Sequence, residues 1–186
     1  MSWEIGHWHK LKEGQVNRAI DICIEILWDN KFDIEIQIDE EAKRLRSSEP
    51  GHGFFETLVA YERSQGISVL LEHLMQGDIV VRARKDECEI RLQLLLRAPE
   101  NSEDNRKEFK EMIVDWVKED SLLFCERFIR LPKINEDIMD RYLDNPLEQV
   151  LRKRFGFHFE YKLIISSPRD SAGSFRIREI LYKALD

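Results

Sequence analysis

The sequence predicts an α+β protein: a small mixed four-stranded sheet, built on a central antiparallel hairpin at about residues 78–97 and packed by several helices. Three observations carry this. Asp78 to Arg97 alternates apolar and polar residues on both sides of Lys85-Asp86, the period-two signature of half-buried strands. Lys31 to Asp39 and Phe157 to Ile165 repeat that period. The segments between them place apolar residues at helical spacing. Helix-rich connections joining a hairpin to two further strands suit a mixed sheet with helices on its apolar face.

A tight turn centred on Lys85-Asp86 sets Ala83 opposite Cys88, Val81 opposite Ile90 and Ile79 opposite Leu92. The other face then holds Arg84 opposite Glu87 and Arg82 opposite Glu89, two cross-strand pairs of opposite charge. A slip of one residue would set apolar groups against charges along the whole ladder. The turn lacks an Asn-Gly signal, so a longer loop is compatible with the same pattern.

Residues 1–11 form an arm carrying Trp3, His7, Trp8 and His9. From Gln15 to Trp28, Val16, Ala19, Ile20, Cys23, Ile24 and Leu27 recur at helical spacing, and Asn17, Arg18, Asp21 and Glu25 mark a narrow wet face. In the following strand Phe32, Ile34, Ile36 and Ile38 point to the core. Asp33, Glu35, Gln37 and Asp39 form a wet acidic face beside the basic face of the hairpin. Same-face side chains on a strand lie about 6.6 Å apart, too far to converge on one cation unaided. Glu40 to Arg46 is predicted as a short helix and Ser47 to Gly53 as a loop. Phe54 to Gln76 is helical, with Gly66 as its break, and His73 packs among leucines.

After the hairpin, Pro99 and the polar run to Asn105 mark the place where a boundary would fall if the chain had two lobes; the chain is read as one domain, 1–186. Phe109, Met112, Ile113, Trp116 and Val117 stripe the next helix, whose acids lie at its start. The pattern of Leu122 to Leu131 fits either a helix or a buried strand and is read as a helix, capped by Ser121 and stopped by Pro132. A short helix from Asn135 contains Ile138, Met139, Tyr142 and Leu143. Asn145-Pro146-Leu147-Glu148 supplies a cap, a first-turn proline and a capping-box glutamate. That helix ends on Arg152-Lys153-Arg154 and Gly156. Ser174 caps a last helix with Ile177, Ile180, Leu181 and Ala184 inward.

Hydrophobic residues make up 42% of the 186 residues and charged ones 35%, the balance of a soluble globular protein. A net charge of −7 argues against whole-surface binding to nucleic acid or anionic membrane, though not against a local basic patch. The first ten residues contain no apolar leader segment, and no apolar run reaches the length of a membrane span. Cys23, Cys88 and Cys125 are odd in number and lie in apolar patterns, as reduced thiols in a cytoplasmic protein would.

Two constellations carry chemistry. Restriction-type nucleases hold a metal between an acid opening one strand and a Glu-x-Lys on the next. Here Asp78 opens the first hairpin strand, and Glu89 and Arg91 share a face of the second. Arg91 stands where lysine is usual, and Glu89 is equally explained as the partner of Arg82. The second is a nucleic-acid patch of Arg152, Lys153, Arg154, His158 and Lys162 interleaved with aromatics. Those aromatics alternate onto one strand face, which a core would claim, and the bases suit a helix C-terminus. The leading expectation is therefore a non-catalytic cytoplasmic interaction or regulatory module without a cofactor. Its partner would be another protein or a second copy, met through an interface that includes Trp3 and Trp8. A metal-dependent nuclease and a nucleic-acid-binding accessory protein are the alternatives.

Overall fold

The computed structural model describes residues 6–12, 16–39, 53–98, 102–130, 146–166 and 172–185, together with the backbone of 44–46. Helix α1 (Val16–Asp29) is followed by strand β2 (Asp33–Ile38), and strand β1 (Trp8–Lys10) precedes it. Strand β3 (Arg44–Arg46) and helices α2 (Phe54–Gln65) and α3 (Ile67–Gln76) lead to the hairpin β4 (Ile79–Lys85) and β5 (Cys88–Arg97). Then come α4 (Glu103–Asp120), a π-helical turn (Cys125–Ile129), α5 (Pro146–Phe155), β6 (His158–Ser166) and α6 (Ala172–Leu185).

The architecture is α+β, as expected, but the sheet differs in size and sense. It has six strands in the order β1-β6-β5-β4-β2-β3, and every pairing is antiparallel rather than mixed. Two outer strands of three residues account for the larger count. β1 lies in the segment read as an arm, and β3 lies where the end of a helix was expected. Neither is long enough to show alternation, which is why periodicity misses both. The expected helix from Asn135 lies outside the described residues.

The hairpin register also differs. The turn falls on Asp86-Glu87, with Asp86 at φ +52°, so Ala83 pairs with Ile90, Val81 with Leu92 and Ile79 with Leu94. Relative to the expected pairing, β5 is displaced by two residues. A two-residue shift leaves every side chain on its expected face, so alternation alone cannot exclude it. Arg84 now stands opposite Glu89, and Arg82 opposite Arg91.

Side chains of β2, β4, β5 and β6 that point to one face join the helices in one apolar cluster, including Ile36, Val81, Leu92, Leu94, Tyr161 and Leu163. α1 contributes Ile20, Cys23 and Leu27, and α3 contributes Leu70, Leu71 and Leu74. Leu95 and Ile164, although buried, are not members of that cluster; they sit on the opposite face, in register with Glu160 and Arg91. The sheet is thus two-sided: helices on one face, charged residues on the other.

Helix boundaries follow local chemistry. Gly66, at φ +92°, separates α2 from α3, so the single broken helix expected there is two. Gly77 ends α3 in the left-handed conformation, and a methyl group added there would meet the Trp8 ring and Leu95. Ser102 caps α4 by accepting the N–H of Asn105 at 3.1 Å. Three helical expectations need correction. Within Leu122–Leu131 the regular element is a π-helical turn, and Ile180 on α6 is exposed at 40% rather than inward. Ser174 lies inside α6, which starts at Ala172, so it is not the cap.

Ile36 on β2 is 1% exposed and pairs with Val81. Ile36→Asp forces an unpaired carboxylate into the core, and the expected loss is at least about 3 kcal/mol. Denaturant titration checks this; an unchanged midpoint would contradict the placement of β2.

Candidate functional site

The face of the sheet turned away from the core carries the densest charge chemistry. Strand pairing lines its residues up in rows: Ile164, Arg91, Arg82 and Glu35 in one, Ser166, Glu89, Arg84 and Asp33 in the next. The backbone register continues the first row to Arg46 on β3. Glu89 is the junction. Its Oε1 lies 3.3 Å from Arg82 Nε and 3.5 Å from Arg91 Nε, and its Oε2 lies 3.5 Å from Arg84 Nε. The Arg82–Glu89 pair expected from sequence forms, as a diagonal contact rather than a directly opposite one. Arg84 was expected to face Glu87, which instead occupies the turn.

The acidic face of β2 does lie against the basic face of β4, through Asp33 opposite Arg84 and Glu35 opposite Arg82. Glu35 is buried, however, at 8% exposure, rather than wet as expected. Arg84 is the most accessible of the three arginines, with half of its side chain exposed.

The nuclease constellation is not brought together. Asp78 pairs with His73 Nδ1 at 3.3 Å, at the end of the hairpin remote from the turn. Glu89 faces Arg84, six residues further along β4, which places the two carboxylates roughly 20 Å apart. Among the described residues no three His, Cys, Asp or Glu side chains are grouped to hold a metal ion. His73 also meets Tyr61 edge-on at 5.9 Å, the packed role expected of it.

The sequence-adjacent basic patch is dispersed. Arg154 pairs with Glu108 at 2.8 Å, Lys162 lies over the Trp8 ring at 5.8 Å, and Lys153 is exposed. Arg152 and His158 instead line a cleft of about 560 Å³ where β1, β6, the π-helical turn and the end of α5 meet. Lys10, Lys12 and Arg127 complete its basic lining, and Phe128, Phe157 and Phe159 its aromatic lining. Three separate segments of sequence supply these residues, so no local motif announces the cleft. Trp8 packs on the body of the protein beside Gly77 and Leu95, and Trp3 lies outside the described residues.

Acids brace the bases of this cleft. Arg127, with its side chain 3% exposed, pairs with Asp120 and with Glu148 at 3.6 Å, and its guanidinium lies 4.7 Å from the Trp116 ring centroid. Glu148 also holds Arg152 at 3.0 Å. Glu160 accepts Nε and Nη2 of Arg97 at 3.1 and 2.9 Å and lies 2.9 Å from His158 Nε2. Burial alone would raise the Glu160 pKa, but those hydrogen bonds and charges outweigh it and hold the carboxyl below its usual range.

A different carboxylate positions the π-helical turn. Glu62 of α2, 3% exposed, accepts the backbone N–H of Phe124 at 2.6 Å and of Cys125 at 3.2 Å. Burial raises its pKa, against the lowering effect of those two N–H groups. Burial and the nearby Glu62 also push the Cys125 thiol well above its usual value, so this cysteine is no nucleophile. Burial pushes the Cys23 thiol up to about 12.

Among known proteins, no family model, no curated protein and no solved structure matches the chain.

Glu62→Gln leaves one of the two N–H groups facing an amide donor, and the expected cost is about 1–3 kcal/mol. The folded Glu62 carboxyl holds its proton more tightly than the unfolded one. Its contribution is therefore complete below the ordinary glutamate value and is lost as pH rises through the raised folded value. The stability gap between wild type and Glu62→Gln should widen as the pH falls from neutral toward 4.5, the ordinary glutamate value. Denaturation at a series of pH values measures it; a constant gap would contradict the assignment.

Proposed function

We propose that this protein is a non-catalytic interaction module that docks an acidic segment of a partner protein on the arginine face of its sheet. The observation that carries the reading is the convergence of Arg82, Arg84 and Arg91 on Glu89. A charged lattice of this kind holds guanidinium groups in fixed positions before a partner arrives, which lowers the ordering cost of binding. Arginine presents a planar fork to carboxylates and is enriched at interface hot spots. Arg84 is the natural first contact, because half of its side chain already meets solvent.

Three further features favour binding over catalysis. Cys23 and Cys125 are buried with raised pKa values, and the two half-buried acids of the hairpin, Asp78 and Glu89, are tied to histidine and arginine. Among the described residues, no helix is long and apolar enough to cross a membrane. A partner with carboxylates at strand spacing, about 6.6 Å apart, would match the arginine rows.

The test is binding of a fluorescent glutamate-rich extended peptide to the purified protein, followed by polarisation. The affinity should fall with rising salt, and Arg84→Glu should weaken it at least about tenfold, some 1.4 kcal/mol. Glu179→Lys on the exposed side of α6 should leave it unchanged. If Arg84→Glu binds as tightly as wild type, the arginine face is not the docking surface. If an oligonucleotide of equal charge binds much more tightly through the same arginines, the partner is a nucleic acid and the protein-partner reading fails.

A further inference from the structure

The cleft between β1, the π-helical turn and the start of β6 is separate from the arginine face and has its own chemistry. Lys10 and Lys12 flank Leu11, which is 2% exposed and donates its N–H to the Phe159 carbonyl at 2.8 Å. That bond extends the β1–β6 pairing past Lys10, so Leu11 points inward and the two lysines point outward together. Their Cα atoms are then about 6.6 Å apart, a spacing that lets two ammonium groups share one phosphate chain. Both lysines are exposed.

The walls differ from the mouth. Arg127 and Arg152 are paired with Asp120 and Glu148, which fixes their position and offsets their charge, so the net positive charge of the mouth rests on Lys10 and Lys12. Phe157 is half-buried at the rim and meets Phe128 edge-on at 5.1 Å, which gives the cleft an aromatic wall. Among the described residues, every charged side chain lining the cleft is a base, and Glu160, opposite Lys10 in the β1–β6 register, lies beside His158. The cleft volume, about 560 Å³, is that of a small-molecule site.

We propose that this cleft binds a small organic polyphosphate bearing a planar ring, a nucleoside di- or triphosphate in class. Lys10 and Lys12 take the phosphates, and Phe157 with Phe128 packs against the ring. The paired arginines hold the cleft walls in place, and the attraction rests on the two lysines. A ring–aromatic contact tolerates different bases, so the site selects for the polyphosphate more strongly than for the base. No bond is made or broken in this assignment; it is a binding site.

Calorimetric titration of the full chain with ATP and with GTP, each without added metal, tests it. Saturable binding of both is expected below about 1 mM, weakened at least about tenfold in Lys10→Ala/Lys12→Glu. Both positions are exposed, so that variant should keep the wild-type melting temperature. Inorganic tripolyphosphate should bind more weakly than either nucleotide, because it lacks the ring. The proposal is overturned by absence of saturable binding, by binding that survives the double substitution, or by tripolyphosphate binding as tightly as ATP. It is equally overturned if a single-stranded oligonucleotide outcompetes the nucleotides and Lys153→Glu abolishes that advantage, since the ligand would then be a strand running past the cleft. Arg84→Glu should leave nucleotide binding intact, which separates failure here from failure at the arginine face.

Discussion

The alternation of β4 and β5 is the constraint on which the rest of the structure depends. Each strand must deliver apolar side chains to the helices and charged side chains to the opposite face. Ile79, Val81 and Ala83 do the first; Arg82 and Arg84 do the second. A slip of one residue would bury Arg82 and Arg84 together, at a cost of several kcal/mol for each uncompensated charge, more than an ordinary domain can absorb. A slip of two residues exchanges one compatible pairing for another. What selects the observed register is therefore not the pattern itself. The turn at Asp86-Glu87, the contact of Glu89 with three guanidinium groups, and the pairing of β5 with β6 all act on it together. The ion pairs that look like surface decoration thus help to choose between registers that the core would accept equally.

Around this sheet, carboxylates join helices that are distant in sequence. Asp21 on α1 accepts the first N–H of α2 at Phe54, at 2.8 Å, and its pKa is raised by burial against the lowering effect of that same bond. Glu62, near the other end of α2, accepts the first N–H groups of the π-helical turn. α1, α2 and the turn are thereby linked in series, each start satisfied by the preceding element. Unsatisfied N–H groups at helix starts are costly when buried, and a negative charge suits the positive end of a helix dipole. The linkage fixes where Arg127 and Phe128 project, because both lie within the turn that Glu62 holds. A buried carboxylate far from the cleft consequently decides the shape of the cleft wall.

Much of the fold was legible in the sequence because it rests on long periodic segments. The stripes of α1 and α4, the faces of β2 and β6, and the break at Gly66 all follow from spacing alone. The outer strands were not legible: three residues contain too little alternation, and their pairing energy comes from neighbours supplied by the sheet. The candidate sites show the same division. Arg82 and Glu89 could be paired from sequence because they lie on one hairpin. Lys10, Arg127 and His158 could not be associated, since only the β1–β6 pairing and the Glu62 contact bring them to one place. The proximity of Arg152, Lys153 and Arg154 in sequence was misleading for a physical reason. Consecutive helical residues point in different directions, 100° apart, so a basic run is not a basic patch.

Two basic surfaces on a chain of net charge −7 require that acid and base be segregated, and the packing shows how. At the arginine face Glu89 sits among three arginines, with Glu35 and Asp33 opposite Arg82 and Arg84 on the next strand. At the cleft Asp120 and Glu148 hold the arginines, and Glu148 is itself buried. The first arrangement offers a partner both signs of charge and suits recognition by shape and register. The second exposes Lys10, Lys12 and Arg152 above a buried Glu148, and suits a small anion. At physiological salt, interactions between exposed charges are largely screened beyond about 8 Å, so each surface acts as a local field. The overall acidity then governs solubility and long-range encounter, while the placement of a few carboxylates beside their arginines governs what each surface can hold.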